Sequence, residues 1–208
     1  MRTLGPLRRR RSLPSAHCRA LGSPWILLCA ILAAGCVAGA GCAQESGGAP
    51  AAPRPPDVRY EPSEMDVVQA MLRLADVKPG DVVYDLGCGD GRIVIAAVRQ
   101  ANARGVCVDI DPRRIAESRE NARLAGVSDR IQFVNQDLLA TDISSATVVM
   151  LFLSGPLNLK VRPKLLRELK PGTRIVSHWH DMGEWTPQQT ERITSAGRER
   201  PIFRWTVP

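Results

Sequence analysis

The sequence predicts an α/β fold, a Rossmann-like and mostly parallel sheet that ends in an antiparallel hairpin. Three observations carry this. From residue 58 onward, short apolar runs alternate with segments of helical period. A glycine-rich turn in "VVYDLGCGDGRIVIAA" (82–97) joins the first of those runs to an apolar helix. "ATVVMLFL" (146–153) is continuously apolar, as a central parallel strand covered on both faces must be.

Each element has its own signal. Ser63, with Asp66 three residues later, forms a capping pattern. The helix behind it keeps Val67, Val68, Met71, Leu72 and Ala75 on one face, and Pro79-Gly80 stops it. Val82–Leu86 is a first strand, "RIVIAAVRQA" a helix, and "GVCVDI" (105–110) a second strand. Asp111 is an N-cap with Pro112 at the first helical position, and that helix closes at Gly126. "RIQFVN" (130–135) is the third strand and 146–153 the fourth. Pro163 fits only the first turn of a helix, so "RPKLLREL" is expected to be short. "TRIVSHW" (173–179) is the fifth strand, and the final segment alternates around Ala196-Gly197 as a hairpin.

The formal net charge is +7, yet residues 1–44 hold six arginines and no acid. The remainder carries 22 basic against 21 acidic residues, so its near-neutral surface implies no nucleic-acid partner. Cysteines divide in the same way: Cys18, Cys29, Cys36 and Cys42 precede the body, which keeps only Cys88 and Cys107. None has CxxC spacing, so neither a metal site nor a disulfide framework is expected, and the two body cysteines read as small buried residues.

The expected organisation is a signal or anchor segment at 1–44, a Pro/Gly/Ala-rich linker at 45–57, and one domain at 58–208. Ala20–Ala43 carries no charge, and an apolar stretch of roughly 20 residues is long enough to span a bilayer. The same layout suits an export signal, a lipoprotein signal ahead of Cys36 or Cys42, or a transit segment, and an over-extended start site is the alternative. Each of the first three makes the protein membrane-associated through this segment or routes it across a membrane. The arginines direct the body outward.

The glycine loop defines the ligand class. Gly87, Gly89 and Gly91 run G-x-G-x-G, and Arg92 stands where a dinucleotide fingerprint needs its third glycine. Asp85 at the strand's end would repel a pyrophosphate but suits a cationic ligand. An NAD-dependent oxidoreductase is disfavoured on both counts. Asp85-x-Gly87-x-Gly89-x-Gly91 before an apolar helix resembles the class I S-adenosylmethionine (SAM)-dependent methyltransferases. The resemblance implies that the glycines let the backbone close over SAM's methionine and ribose. It implies that Asp109, ending the second strand, accepts the ribose hydroxyls. It implies that Asp137 and Leu138 receive the adenine, and that Tyr60 belongs to a loop folding over the cofactor.

A closer resemblance spans about residues 58–208. "YEPSEMDVVQAML", "ATVVMLFLSGPLN", "RPKLLRELKPGTRIVSH", "DMGEW" and "RWTVP" look like bacterial methyltransferase-domain proteins similar to the ATP synthase c-subunit lysine N-methyltransferase family. Its members carry a hydrophobic N-terminal segment. The resemblance implies a lysine acceptor, with a small membrane protein as one candidate substrate, and a need for SAM that favours the cytoplasmic side. That need opposes the outward direction read from the arginines.

The acceptor side is expected after strands four and five. "LSGPLN" (153–158), including Ser154, replaces the Asn/Asp-Pro-Pro-aromatic motif of base-directed amino methyltransferases. "SHWHDMGEW" offers His178 and His180 as proton acceptors and Trp179 and Trp185 as a substrate lip. Structural packing is the competing reading for each. A small-molecule or lipid methyltransferase, and a membrane-tethered SAM-binding protein without turnover, are the other functional readings.

Overall fold

The computed structural model describes residues 54–208. The expected signal or anchor segment, its four cysteines and most of the 45–57 linker lie outside the described residues. Helix α1 is Met65–Leu74, followed by β1 (Val82–Leu86), α2 (Arg92–Ala101), β2 (Arg104–Asp109) and α3 (Pro112–Leu124). Then come β3 (Ile131–Asn135), β4 (Val148–Leu151), α4 (Gly155–Glu168), β5 (Arg174–His178), β6 (Gln189–Ser195) and β7 (Arg198–Thr206). They form one seven-stranded sheet in the order β3-β2-β1-β4-β5-β7-β6. Strands β1 to β5 pair in parallel, and β7 runs antiparallel to both β5 and β6.

Strand alternation divides the core between the two faces. Val83 packs with Val67, Met71, Ile93 and Ala97 of α1 and α2. Cys107 packs with Val94, Val98, Ile115 and Ala122 of α2 and α3. On the opposite face Tyr84, Leu86, Val149 and Ile175 meet Leu157, Val161 and Leu165 of α4. The order reverses between β1 and β4, so the carboxyl ends of the strands around β1 bound the crevice where such folds bind ligands.

The structure corrects three sequence expectations. Helix α4 starts seven residues early, at Gly155 rather than Arg162, because Ser154 caps it and Pro156 sits in its first turn. Pro163 therefore lies inside the helix, on the exposed side with Leu159, where water can serve the carbonyl its missing N–H leaves free. Ser63 is not the cap of α1. Glu64 takes that position without a side-chain bond, and the Ser63 hydroxyl turns to His178 instead. Cys88 and Cys107 are joined by a disulfide with Cα atoms 5.3 Å apart. Adjacent parallel strands bring them together, which CxxC spacing does not reveal. Bridging across a sequence separation of 19 residues contributes about 3 kcal/mol in the chain-entropy account.

Candidate cofactor and acceptor site

A cavity of about 380 Å³ opens at the carboxyl ends of β1, β2 and β3. Its wall includes Gly87, Cys88, Gly89 and Asp90 from the turn after β1, Asp109 to Asp111 after β2, and Asp137 and Leu138 after β3. Residues 56–63 form another side, and Phe152, Leu153 and Leu157 a third. Of the residues expected to hold a cofactor, Tyr60, Gly87, Gly89, Asp109, Asp137 and Leu138 meet at this cavity.

The loop owes its shape to glycine. Gly87, Gly89 and Gly91 all have positive φ, and the Gly87 and Cys88 N–H groups both donate to the Val108 carbonyl. A Cβ on Gly89 would collide with the Tyr60 ring, and one on Gly87 would lie 2.7 Å from a Leu153 methyl. Gly91 faces elsewhere: a Cβ there would press on Ser118 of α3, so it sets helix packing rather than the cavity wall.

Asp109 is held from two sides. Its Oδ2 accepts from Gly89 N–H at 2.9 Å and its Oδ1 from Asp111 N–H at 2.9 Å. Asp111 caps α3 by accepting from Arg113 N–H. Asp137 Oδ1 takes the Leu139 N–H, while its Oδ2 receives both Nε and Nη2 of Arg54. Burial opposes ionisation of Asp137, but that N–H and the guanidinium outweigh it and hold the carboxyl below its usual range. Arg54 and Asp57, expected in a linker, thus line the cavity. Arg114 of α3 lies 4.4 Å from the centre of the Tyr60 ring, a cation–π contact that steadies the covering segment.

Asp85 lies beneath the loop, outside the cavity wall, and is 1% exposed. Burial pushes its carboxyl up to about 8; the Val94 N–H opposes this, and the charges of Asp109 and Asp90 add to it. Its Oδ2 has no hydrogen-bond partner. A neutral carboxyl outside the cavity wall offers no charge to a ligand cation, so the structure does not bring Asp85 to the cavity where the sequence pattern placed it.

The acceptor-side residues are spread more widely. His178 ends β5, fully buried, with Nδ1 2.9 Å from Ser63 Oγ and its ring 4.0 Å from that of Phe152. Burial first, then the charges of Arg200 and His180, lower its pKa to about 4, so it is neutral at pH 7. His180 is less enclosed, near Gly155 at the head of α4, and burial also lowers its pKa. Trp179 stands half exposed at φ +71°, with its N–H on the Pro201 carbonyl and Arg200 5.3 Å from its ring. A bulky residue in that region is strained by about 1–3 kcal/mol, a cost that clusters at functional surfaces. Ser154 is the α4 cap. Trp185 packs on Trp205, whose indole N–H donates to the Trp185 carbonyl, and lies away from the cavity. Among the described residues, no group of His, Cys, Asp and Glu could hold a metal ion.

Strand order, glycine turn and acids at successive strand ends define a SAM-dependent methyltransferase, an enzyme class that matches in both fold and cofactor. The profile of the ANTKMT methyltransferase domain matches residues 85–189, and the chain belongs to this family. It is 40% identical over 153 residues to a "Protein-lysine N-methyltransferase" of Saccharolobus islandicus (strain REY15A), covering 73% of this chain and 95% of that protein. It is 38% identical over 97 residues to a "Ribosomal protein L11 methyltransferase" of Photobacterium profundum, covering 46% of this chain and 32% of that protein. A crystal structure described as an RNA methyltransferase from Salinibacter ruber in complex with S-adenosyl-L-homocysteine superimposes with a TM-score of 0.68 and is 49% identical. The match covers 71% of this chain and 94% of that one.

Sequence reasoning missed Arg54, Arg114, Phe152 and Leu153 as cavity residues. Phe152-Leu153 ends the apolar run of β4 and Arg114 follows the α3 cap, so their place at strand and helix ends was the available signal.

Proposed function

We propose that this enzyme is a protein-lysine N-methyltransferase that transfers a methyl group in line to a deprotonated amine. The observation that carries this reading is the 40% identity to a protein-lysine N-methyltransferase over 95% of that protein's length. SAM supplies an electrophilic methyl on a sulfonium. In this reading Asp109 accepts the ribose hydroxyls, and Asp137 with Leu138 receives the adenine. The backbone at Gly87 and Gly89 lies against the methionine portion. Tyr60, Phe152 and Leu153 exclude water, which strengthens every polar contact inside.

The acceptor amine has an ordinary pKa of ~10.4 and must lose a proton before it attacks. An apolar wall at Phe152 and Leu157 disfavours the ammonium form. His180 is neutral at pH 7 and open enough to take the proton on a ring nitrogen. His178, with Nδ1 tied to Ser63, orients the covering segment rather than moving the proton. Trp179 offers an aromatic face for a cationic side chain. The same reading tethers the enzyme to a membrane through residues 20–43, and a reporter fused after Pro208 that works only outside the cytoplasm decides the side.

A second reading, an RNA acceptor, is favoured by the description of the 49% identical structure. The near-neutral charge of residues 45–208 weighs against it. Incubating the enzyme and methyl-labelled SAM with membrane, ribosomal and total RNA fractions separates the readings. Label in protease-sensitive material is expected. Label in nuclease-sensitive or solvent-extractable material overturns the lysine reading in favour of RNA or lipid.

A further inference from the structure

We propose that the Cys88–Cys107 disulfide is a positioning element of the cofactor site, and that closing it raises the enzyme's affinity for SAM. Cys88 stands between Gly87 and Gly89 in the cavity wall, and Cys107 is fully buried on β2, two residues before Asp109. The bridge therefore fastens the turn that lies against one end of the cofactor to the strand whose last residue meets the other. It is not needed to bring β1 and β2 together, since they already pair from Val82 with Arg104 to Leu86 with Val108. What it adds is restraint on Cys88. The surrounding glycines have the most conformational freedom to lose, and the bonds next to Cys88 are few: to the Val108 carbonyl from Gly87 and Cys88, to the Cys88 carbonyl from Gly91, and to Asp109 from Gly89, with Asn121 and Arg92 holding Asp90 farther along the turn. A covalent link orders the turn before the ligand arrives, so that binding does not have to.

The link is also the point at which redox state reaches the site. A dithiol reductant cleaves the S–S bond by delivering two electrons and two protons, leaving two thiols and departing as its own disulfide. The Cys88 side faces the cavity, so the cavity is the reductant's approach. Coupling is reciprocal: whatever factor the bridge adds to SAM affinity, bound ligand adds to the stability of the bridge. A disulfide serving the core alone would show no such coupling.

The proposal rests on the cavity being the cofactor site, which Asp109→Ala tests separately. The experiment is calorimetric titration of S-adenosylhomocysteine into the full-length protein, oxidised and after dithiothreitol, with peptide mapping to score the bridge. Reduction is expected to weaken binding about tenfold. Cys107→Ala is expected to bind as weakly as the reduced protein and to ignore dithiothreitol, which also accounts for the four N-terminal cysteines. Cys88→Ala serves if Cys107→Ala does not fold. Saturating S-adenosylhomocysteine is expected to move the reduction midpoint of the bridge about 30 mV more negative, the equivalent of tenfold. Unchanged affinity with the bridge open, an unmoved midpoint, or no 88–107 cross-linked peptide in the oxidised protein overturns the proposal.

Discussion

The two halves of the site are built by different means. The cofactor half is made of backbone turns and short acids at the ends of consecutive strands, and its carboxylates accept from backbone N–H groups, Asp109 from Gly89 and Asp111 and Asp137 from Leu139. The acceptor half is held by side chains that reach to other elements. Ser63 meets His178 across 115 residues, and Asn158 of α4 donates to the His180 carbonyl and to Ser177 Oγ. A backbone construction can be kept while the side-chain one varies. One cofactor machinery can thereby serve relatives described as acting on lysine, on ribosomal protein L11 and on RNA.

The largest effect is expected at the centre of the cofactor half. Asp109→Ala removes the carboxylate that meets the ribose and also frees the Gly89 and Asp111 N–H groups. Two charge-assisted hydrogen bonds of this kind are worth about 3 kcal/mol, so SAM affinity should fall roughly 100-fold by calorimetry. A residual affinity within threefold of wild type would place the cofactor elsewhere.

Gly89→Ala comes next. Alanine at φ +56° costs about 1 kcal/mol, and displacing Tyr60 a similar amount, for roughly 30-fold weaker binding. Adding Tyr60→Ala to Gly89→Ala should cost less than the sum of the two single changes, because the ring that collides is gone. Strict additivity would mean that Tyr60 does not cover the loop.

The comparison sharpens in the pH dependence of stability, since each half holds one buried titratable group and the two act with opposite sign. His178 has a folded pKa of about 4, below its ordinary 6.5. The unfolded chain takes up that proton first, so stability is full above pH 6.5 and falls as pH drops toward 4. Asp85 has a folded pKa of about 8, above its ordinary 3.8. Its contribution is full below pH 3.8 and is lost as pH rises through 8. Each slope is at most about 1.4 kcal/mol per pH unit, and they oppose each other between pH 4 and 6.5. Thermal melts of the ligand-free protein should show Asp85→Asn removing the decline from pH 6.5 to 8 and uncovering a decline from pH 6.5 toward 4, whereas His178→Asn should let stability rise steadily as pH falls from 8 to 4. If both variants keep the wild-type profile, neither group is buried as described.

The smallest effect is expected at Arg54. Its pair with Asp137 is partly exposed and worth under about 1 kcal/mol. Arg54→Ala should raise SAM affinity by up to about fivefold by releasing Asp137 Oδ2. A loss of affinity would mean instead that Arg54 helps to cover the bound cofactor.

The same division explains what was legible in the sequence. Strands β1 to β5 and helices α2 and α3 lie within a residue or two of their apolar periods and caps, because local chemistry sets them. The Asp111 cap, and the turn in which Ala196 and Gly197 both take positive φ, were readable for that reason. The early start of α4 was present in Ser154 and Pro156, but Pro163 was given more weight than an exposed helix face requires. Ser63 looks like a cap by spacing, and only the tertiary fold gives its hydroxyl a better partner in His178. Likewise the disulfide depends on register: Cys107 pairs alongside Asp85, and Cys88 follows three residues later at the mouth of the same strand. Asp85 carries the motif's acid, yet its depth beneath the loop is a property of the sheet and not of the spacing.

The chemical identity of the methylated atom tests the account most directly. Protein labelled by the enzyme with methyl-labelled SAM is hydrolysed and its amino acids separated. The account predicts radioactivity co-eluting with Nε-methylated lysine, and none when Asp109→Ala replaces the wild type. Label on another amino acid, or labelling undiminished in Asp109→Ala, would contradict it.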